Sequence, residues 1–139
     1  MPAVFHHALV VAPDAIDRQG HVNNVEFVRW MQEAAVAHSE AQGMDAKRYA
    51  EIGGTWYVRS HHIEYLLPGM EGDALVVRTW VASLDRVRSL RRYRFEREGE
   101  LLARAETEWV WIDAARGRPR PVPAEVAQSF EVVESPDSC

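Results

Sequence analysis

The spacing of apolar residues separates the chain into one long helical segment and several extended ones. Over residues 25–42, apolar side chains recur every three or four positions around a narrow polar stripe, which predicts a helix largely covered by the rest of the fold. Gly43 is a natural stop for this helix. Before it, residues 4–11 are apolar and β-branched and predict a first strand; after it, residues 45–52 predict a short second helix.

Four extended segments follow, separated by short turns that contain glycine, proline or aspartate. They comprise residues 55–67, 74–84, 89–98 and 101–113. Loops this short favour antiparallel neighbours. One strand, one long helix and four antiparallel strands therefore predict an α+β domain in which a curved antiparallel sheet wraps around a single helix. Residues 114–139, which are rich in proline and arginine, are predicted to form an irregular tail.

Composition and charge narrow the class of protein. With 139 residues, 47% of them hydrophobic and 27% charged, residues 1–139 are predicted to form a single globular domain. The formal net charge of −5 and the pI near 5.7 argue against nucleic acid or a membrane surface as a partner. Cys139 is the only cysteine, which excludes an intrachain disulfide and fits a reducing compartment. The first residues lack the pattern of a signal peptide, so we expect a cytoplasmic protein.

The segment that precedes the long helix carries the densest chemistry. Residues 17–24 read DRQGHVNN and combine a carboxylate, a turn glycine, a histidine and two asparagines. They end where a helix begins, and there the free backbone N–H groups and the positive end of the helix dipole favour negative charge. This arrangement predicts chemistry on an anionic or oxyanionic group.

This motif and the order of elements resemble the hotdog-fold acyl-CoA thioesterases of the 4-hydroxybenzoyl-CoA thioesterase type. The resemblance covers roughly residues 4–113 and includes the segment 63–68, the Gly-Asp pair at 72–73, and Ser89 after the next strand. Many relatives carry a D-x-D pair, whereas this chain has Ala-Ile-Asp and keeps only the second acid, Asp17. The resemblance implies that this second acid is the catalytic one.

Thioester hydrolysis, which the resemblance implies, assigns roles to the motif. Asp17 can act as a general base toward water or can itself attack the carbonyl carbon. With Asn23 as N-cap, the backbone N–H of Asn24 has no helical partner, and we expect it to stabilise the oxyanion. Gly20 supplies either a backbone conformation or a close approach. His21 orients Asp17, contacts substrate, or holds the loop by bonding a backbone carbonyl.

A run of arginines predicts phosphate binding. Residues 86–97 contain six arginines in a protein that is acidic overall, and guanidinium groups suit the phosphates of coenzyme A. The resemblance nominates Arg86, Arg88 and Ser89, with Arg91 next. The alternative is a solvated strand face that balances the acidic surface. Coenzyme A is then part of the substrate, and we expect no separate cofactor.

Two further features are expected to be structural. The adjacent histidines at 6–7 and at 61–62 point to opposite faces of their strands, so we expect no metal site. Glu33 shares the polar stripe of the long helix with Arg29, four residues earlier, and a surface ion pair between them is expected.

The sequence therefore predicts a hydrolase for an acyl thioester of coenzyme A or of an acyl carrier protein. We expect a homo-oligomer, a dimer or a tetramer, because the sheet leaves an edge strand and a pocket mouth to cover. One alternative is a hotdog hydratase or dehydratase, but its relatives carry a D-x-N-P-x-H motif that this chain lacks. Another is a non-enzymatic acyl-thioester-binding module, which would keep the arginines and not need Asp17.

Overall fold

Five antiparallel strands and one long helix make up most of residues 3–134, the part of the chain that the computed structural model describes. The elements are β1 (Phe5–Val10), α1 (Asn24–Ala41), α2 (Ala46–Ile52), β2 (Gly54–Tyr65), β3 (Ala74–Asp85), β4 (Arg88–Arg97), β5 (Glu100–Asp113) and α3 (Ala124–Gln128). The strands form one sheet in the order β1-β3-β4-β5-β2. The predicted α+β architecture, a curved sheet around one long helix, is confirmed.

Helix α1 buries one face against the sheet. Its inward positions include Phe27, Met31 and Ala34, each no more than 2% exposed, and they share a core with inward residues of β3, β4 and β5. Their spacing of three to four residues is the helical period seen in the sequence. Burial of a side chain the size of Met31 stabilises the fold by about 1.5–3 kcal/mol, so the packing, more than helix propensity, holds α1 in place.

The register of the sheet fixes which elements meet at each end of α1. Antiparallel pairing aligns Val10 with Ala74, and Gly54 with Asp113. The end of the molecule with Val10 and Ala74 holds the start of α1, where the N–H of Val22 donates to the carbonyl of Gly69. We call this end the N-terminal end of α1. The opposite end, with Gly54 and Asp113, is the C-terminal end of α1, and it also holds the turn between β3 and β4.

Strand β2 lies at an edge of the sheet, because within residues 3–134 it pairs only with β5. Its exposed residues include Tyr57, which is 57% exposed, and Val58. An edge strand of 12 residues presents a row of unpaired backbone groups to a further strand.

The segment after β5 is more ordered than the sequence predicted. Residues 124–128 form α3, and Val126 and Phe130 are buried against the rest of the fold. Further on, Val132 bridges Val81 of β3. The prediction of an irregular tail is therefore wrong for this stretch. Burial of Val126 and Phe130 stabilises an ordered segment that its proline- and arginine-rich surroundings did not predict. Residues 135–139 lie outside the described part of the chain.

The expected ion pair on α1 forms with a different partner. Arg29 Nε lies 3.5 Å from a carboxylate oxygen of Glu26, one turn earlier, and no pair with Glu33 forms within residues 3–134. Because Glu26, three residues before Arg29, already pairs with it, the predicted ion pair between Arg29 and Glu33 was wrong. In the described part of the chain, no helix is long and apolar enough to cross a membrane.

Candidate active site

The turn before α1 is held by its own main chain. The N–H of Asp17 donates to the carbonyl of His21 at 2.8 Å, and the N–H of Gly20 donates back to the carbonyl of Asp17 at 3.1 Å. Gly20 has φ +83°, a left-handed conformation that favours glycine, and a Cβ there would meet nothing within 4 Å. Of the two roles considered for Gly20, the geometry supports backbone conformation and not close approach.

The half-buried carboxylate of Asp17 is oriented through one of its two oxygens. Oδ1 accepts hydrogen bonds from the backbone N–H groups of Gln19 at 2.9 Å and His21 at 3.3 Å. Within residues 3–134, Oδ2 accepts no hydrogen bond. The turn therefore fixes the direction of the carboxylate and leaves one oxygen available to a water molecule or an electrophile.

The start of α1 leaves one backbone donor unused. The side-chain oxygen of Asn23 accepts from the N–H of Val25 at 3.0 Å, and the backbone carbonyl of Asn23 accepts from the N–H of Glu26 at 2.9 Å. Asn23 is thus the N-cap, as predicted. The N–H of Asn24 has no hydrogen-bond partner among the described residues, and the helix dipole adds to its attraction for negative charge.

These groups face a cleft of about 480 Å³ at the N-terminal end of α1. Asp17, His21 and Asn24 line one side, and the end of β2 with the loop after it lines the other. The hydroxyl of Tyr65 donates to the carbonyl of Asn24 at 3.4 Å, and burial raises the pKa of Tyr65, which keeps this donor protonated at neutral pH. The structure therefore brings three of the four nominated residues of the turn to one cleft, and Gly20 does not line it.

A glycine missed by the sequence reasoning completes this cleft. A Cβ at Gly69 would lie 2.8 Å from Cγ2 of Val22, closer than real contacts allow. The carbonyl of Gly69 also accepts from the N–H of Val22 at 2.8 Å, so the loop can only approach the turn without a side chain. The adjacent Pro68 marked a turn in the sequence, but not this contact.

His21 contributes through its backbone. Both its N–H and its carbonyl bond to Asp17, whereas its exposed imidazole ring forms no hydrogen bond within residues 3–134. The orientation of Asp17 is thus supported, but by the amide of residue 21 and not by the ring. The ring lines the cleft and is accessible to a ligand.

The four residues nominated for phosphate binding do not come together. Arg86 and Arg88 are exposed at the C-terminal end of α1, where Arg88 Nη1 lies 3.7 Å from Glu108. Ser89 and Arg91 are each 5% exposed and lie on the inner face of β4. Successive residues of a strand point to opposite faces, so Ser89 and Arg91 face the interior whereas Arg88 does not. Arg86 lies in the turn before β4. Only Arg86 and Arg88 are positioned for a ligand at the surface.

The described residues offer no candidate metal centre. In residues 3–134 no three side chains among histidine, cysteine, aspartate and glutamate are grouped to hold a metal ion. The arrangement that remains is a carboxylate with one available oxygen, a free helix N-terminal amide, and a cleft between them. Such a pair suits addition of a nucleophile to a carbonyl carbon with charge developing on its oxygen.

Comparisons with known proteins bear on this arrangement. The family model of the thioesterase-like superfamily matches residues 11–130. The L-carnitine dehydrogenase/betainyl-CoA thioesterase of Rhizobium meliloti (strain 1021) is 27% identical over 120 residues, which are 85% of this chain and 24% of that protein. This chain therefore spans about a quarter of the length of that relative.

Solved structures share the fold. A hypothetical protein from Thermus thermophilus is 26% identical, with a TM-score of 0.84, over 90% of this chain and 95% of that chain. A 1,4-dihydroxy-2-naphthoyl-CoA thioesterase from Synechocystis is 22% identical, with a TM-score of 0.82, over 91% and 93% of the two chains. Together with the family match, these likenesses confirm the predicted hotdog fold and the predicted thioesterase resemblance.

Proposed function

The chain belongs to the thioesterase-like superfamily, and we propose that it hydrolyses an acyl thioester of coenzyme A or of an acyl carrier protein. One observation carries the proposal: Asp17, which keeps one oxygen free of hydrogen bonds, and Asn24, whose backbone N–H has no partner among the described residues, line the same cleft. The betainyl-CoA thioesterase named above supports coenzyme A as the carrier.

In the proposed reaction the thioester carbonyl oxygen accepts a hydrogen bond from the N–H of Asn24. Asp17 either takes a proton from water, whose hydroxide adds to the carbonyl carbon, or attacks that carbon itself to form a mixed anhydride that water then hydrolyses. In both routes negative charge develops on the carbonyl oxygen, next to the amide and the helix dipole. Collapse of the tetrahedral species expels the thiolate, which leaves as the thiol after protonation.

The proposed binding of the substrate's phosphates requires two subunits. Arg86 and Arg88 lie at the opposite end of α1 from Asp17, and β4, with 10 residues, spans roughly 30 Å between these ends. If the exposed edge of β2 pairs antiparallel with β2 of a second copy, the C-terminal end of one subunit lies beside the N-terminal end of the other. We therefore propose a homo-oligomer, at least a dimer, in which each site combines Asp17 with the arginines of the neighbouring copy.

Assembly is testable without substrate. Light scattering at micromolar concentration is expected to give a mass of at least twice 15.8 kDa. Replacing Val58 by lysine on the exposed edge of β2 should shift the population toward the monomer, whereas Glu71→Lys, on an exposed loop, should not. A single species of 15.8 kDa for the unmodified chain would contradict the proposal.

Activity is tested with a panel of acyl-coenzyme A thioesters, followed by release of free thiol. We expect hydrolysis by the unmodified chain and by Asp14→Asn, a control in the exposed segment after β1, and loss of hydrolysis in Asp17→Asn. Binding of acyl-coenzyme A without thiol release would favour the non-enzymatic module. A change in the acyl group without thiol release would favour the hydratase.

A further inference from the structure

A second cavity, separate from the Asp17 cleft, lies at the C-terminal end of α1. It has a volume of about 450 Å³ and is lined by residues of both helices that precede β2, by β2 to β5, and by the segment after α3. Most of its wall is apolar, and it includes the aromatic rings of Tyr49, Trp56, Trp109 and Phe130. A cavity of this size and lining suits a small ligand with an apolar body.

One charged side chain in its wall is almost completely buried. Arg91 is 5% exposed and projects from the inner face of β4. Its Nη1 donates to Nδ1 of His38 at 3.0 Å and to the hydroxyl of Thr79 at 3.1 Å, and its guanidinium carbon lies 5.5 Å from the centre of the Phe130 ring. These neighbours fix the position of the guanidinium group, but none of them carries a formal negative charge.

The charge of Arg91 has no counter-ion within residues 3–134. No carboxylate of this part of the chain forms an ion pair with it, and burial lowers the pKa of Arg91 accordingly. Burial raises the pKa of both Tyr49 and Tyr93, so neither phenol is an anion at neutral pH. An arginine nevertheless stays protonated, and a buried charge without a partner is costly.

The other charges of the cavity lie at its rim. Glu40 and Asp45 are exposed, so water screens them. The carboxylate of Asp45 is also engaged as the N-cap of α2, where it accepts from the N–H of Arg48 at 2.8 Å. The buried part of the cavity therefore presents one positive group among apolar and neutral polar side chains.

The free side of the guanidinium has a defined shape. Nε and Nη2 of Arg91 have no hydrogen-bond partner among the described residues. Both atoms keep some accessible surface, so a ligand in the cavity can reach them. These two nitrogens form one edge of the planar group, which matches the two oxygens of a carboxylate in a bidentate pair.

We propose that this cavity binds a small organic carboxylate, whose charged group pairs with Nε and Nη2 of Arg91 and whose apolar body packs on the aromatic wall. The carboxylate is that of a free acid, because Arg91 contacts His38 near the C-terminal end of α1, roughly 20 Å along the helix from Asn24, which is farther than a short acyl chain reaches. The proposal goes beyond thioester hydrolysis, since no part of it requires Asp17. Its failure would leave the proposed activity untouched, and the reverse is also true.

Calorimetry with one pair of probes tests the site on the unmodified chain. The probes are 3-phenylpropionate and 3-phenylpropionamide, which have the same body and differ in charge. We expect the acid to bind at least about 10-fold more tightly than the amide, because a charge-assisted pair with a buried arginine contributes more than a neutral hydrogen bond. Equal affinity for the two probes, or no binding of either, would overturn the proposal.

Two variants locate the effect. Arg91→Met keeps a side chain of similar length without charge, and should lower affinity for 3-phenylpropionate by about 10-fold or more while affinity for the amide changes little. Arg92→Met removes an arginine from the exposed face of the same strand and should change neither affinity. Preference for the acid that survives Arg91→Met, in protein shown to be folded by circular dichroism, would place the carboxylate elsewhere and overturn the assignment.

Kinetics then test whether the ligand is a free acid and not an acyl group. Glutaryl-coenzyme A and pentanoyl-coenzyme A have acyl chains of equal length, and only the first ends in a carboxylate. Because Asp17 and Arg91 lie too far apart for one short acyl chain to reach both, Arg91→Met should change kcat/KM for both thioesters equally. A preference for glutaryl-coenzyme A that Arg91→Met removes would show that the acyl group enters this cavity and would overturn the assignment to a free acid.

Discussion

The two ends of α1 are built in opposite ways. At the N-terminal end, the proposed catalytic groups come from one segment, residues 17–24, whose backbone hydrogen bonds orient Asp17 and leave the N–H of Asn24 free. The cavity at the C-terminal end draws its wall from most of the elements of the fold, and its buried Arg91 is held by side chains. Substitutions at the N-terminal end should therefore change turnover without changing stability. At the C-terminal end, ligand binding and stability should change together.

Replacing the proposed catalytic acid is the strongest test of that separation. Asp17→Asn keeps the size of the side chain but removes its charge and basicity, so kcat for the best thioester should fall about 100-fold or more, with KM largely kept. Because Asn still accepts from the turn amides, the free energy of unfolding should change by at most about 1 kcal/mol. Steady-state kinetics and urea unfolding measure the two quantities.

Glu33→Gln is the matched control on α1, since this exposed carboxylate lies outside the cleft. Its kcat should stay within a few-fold of the unmodified value. Near-full activity of Asp17→Asn together with inactivity of Glu33→Gln would mean that the acid is on the helix, even though the family assignment would stand.

A smaller effect is expected at the exposed arginines. Arg86→Ala and Arg88→Ala should each raise KM for acyl-coenzyme A about 10-fold, because a lost charge-assisted contact costs roughly 1–3 kcal/mol. Turnover should change little, since the phosphates lie far from the reacting carbon and contribute uniform binding. Arg116→Ala, on an exposed turn after β5, is the control, and an effect as large as that of Arg88→Ala would indicate non-specific loss of charge.

Packing at the C-terminal end is tested by adding one carbon. A Cβ at Gly54 would lie 2.5 Å from Cζ2 of Trp111 and 2.9 Å from the carbonyl oxygen of Ile112, so Gly54→Ala should lower the free energy of unfolding by about 1–3 kcal/mol. Ser60→Thr adds a carbon on the exposed part of the same strand and should change stability little. Thermal unfolding compares the two variants.

The same variant bears on the comparison of the two ends. At a temperature where Gly54→Ala is folded, its kcat should remain within a few-fold of the unmodified value, because the strain lies at the opposite end of α1 from Asp17. A loss of turnover as large as that of Asp17→Asn would show that the ends are not separable.

The smallest expected effect is a pH dependence of the free energy of unfolding, caused by Asp73 near the N-terminal cleft. Burial alone would raise the pKa of Asp73, but hydrogen bonds from Arg97 and from the N–H of Met70 outweigh it, so the pKa lies below its ordinary value of 3.8. A carboxylate with a lowered folded-state pKa stabilises the fold above pH 3.8, and this contribution is lost as the pH falls below that value.

Urea unfolding between pH 7 and pH 3 measures this loss. Asp73→Asn should flatten the dependence, and Arg97→Gln, which removes the main partner of Asp73, should flatten it in the same way. Because Arg97 also donates to the carbonyl of Pro68 at 3.3 Å, the pair supports the loop that lines the cleft. A curve for Asp73→Asn that runs parallel to that of the unmodified chain would contradict the role of Asp73.

The same contrast explains what the sequence could predict. The turn, the N-cap and the free amide of Asn24 follow from residues that are adjacent in sequence, and local rules of helix capping apply to them directly. The long helix and the strands follow from periodicity that tertiary packing reinforces. All of these predictions hold in the structure, with element boundaries shifted by one or two residues.

What the sequence could not predict depends on long-range contacts. Arg91 and His38 lie 53 residues apart in sequence and meet only in the folded chain, so the sequence grouped this buried arginine with the surface arginines of a phosphate site. Gly69 meets Val22, and Phe130 reaches the core, through similar approaches of distant segments. Hydrophobic periodicity and motif spacing carry no information on such pairs.

The way the turn before α1 is anchored has an evolutionary consequence. Its shape rests on the backbone bridge between Ile16 and Val22, on the left-handed Gly20, and on the carbonyl of Gly69. None of these supports needs the side chains of Arg18 or His21, which are both exposed. Mutations at those two positions can therefore accumulate without loss of the scaffold, so this turn can acquire new reaction chemistry while the cavity at the other end of α1 changes more slowly.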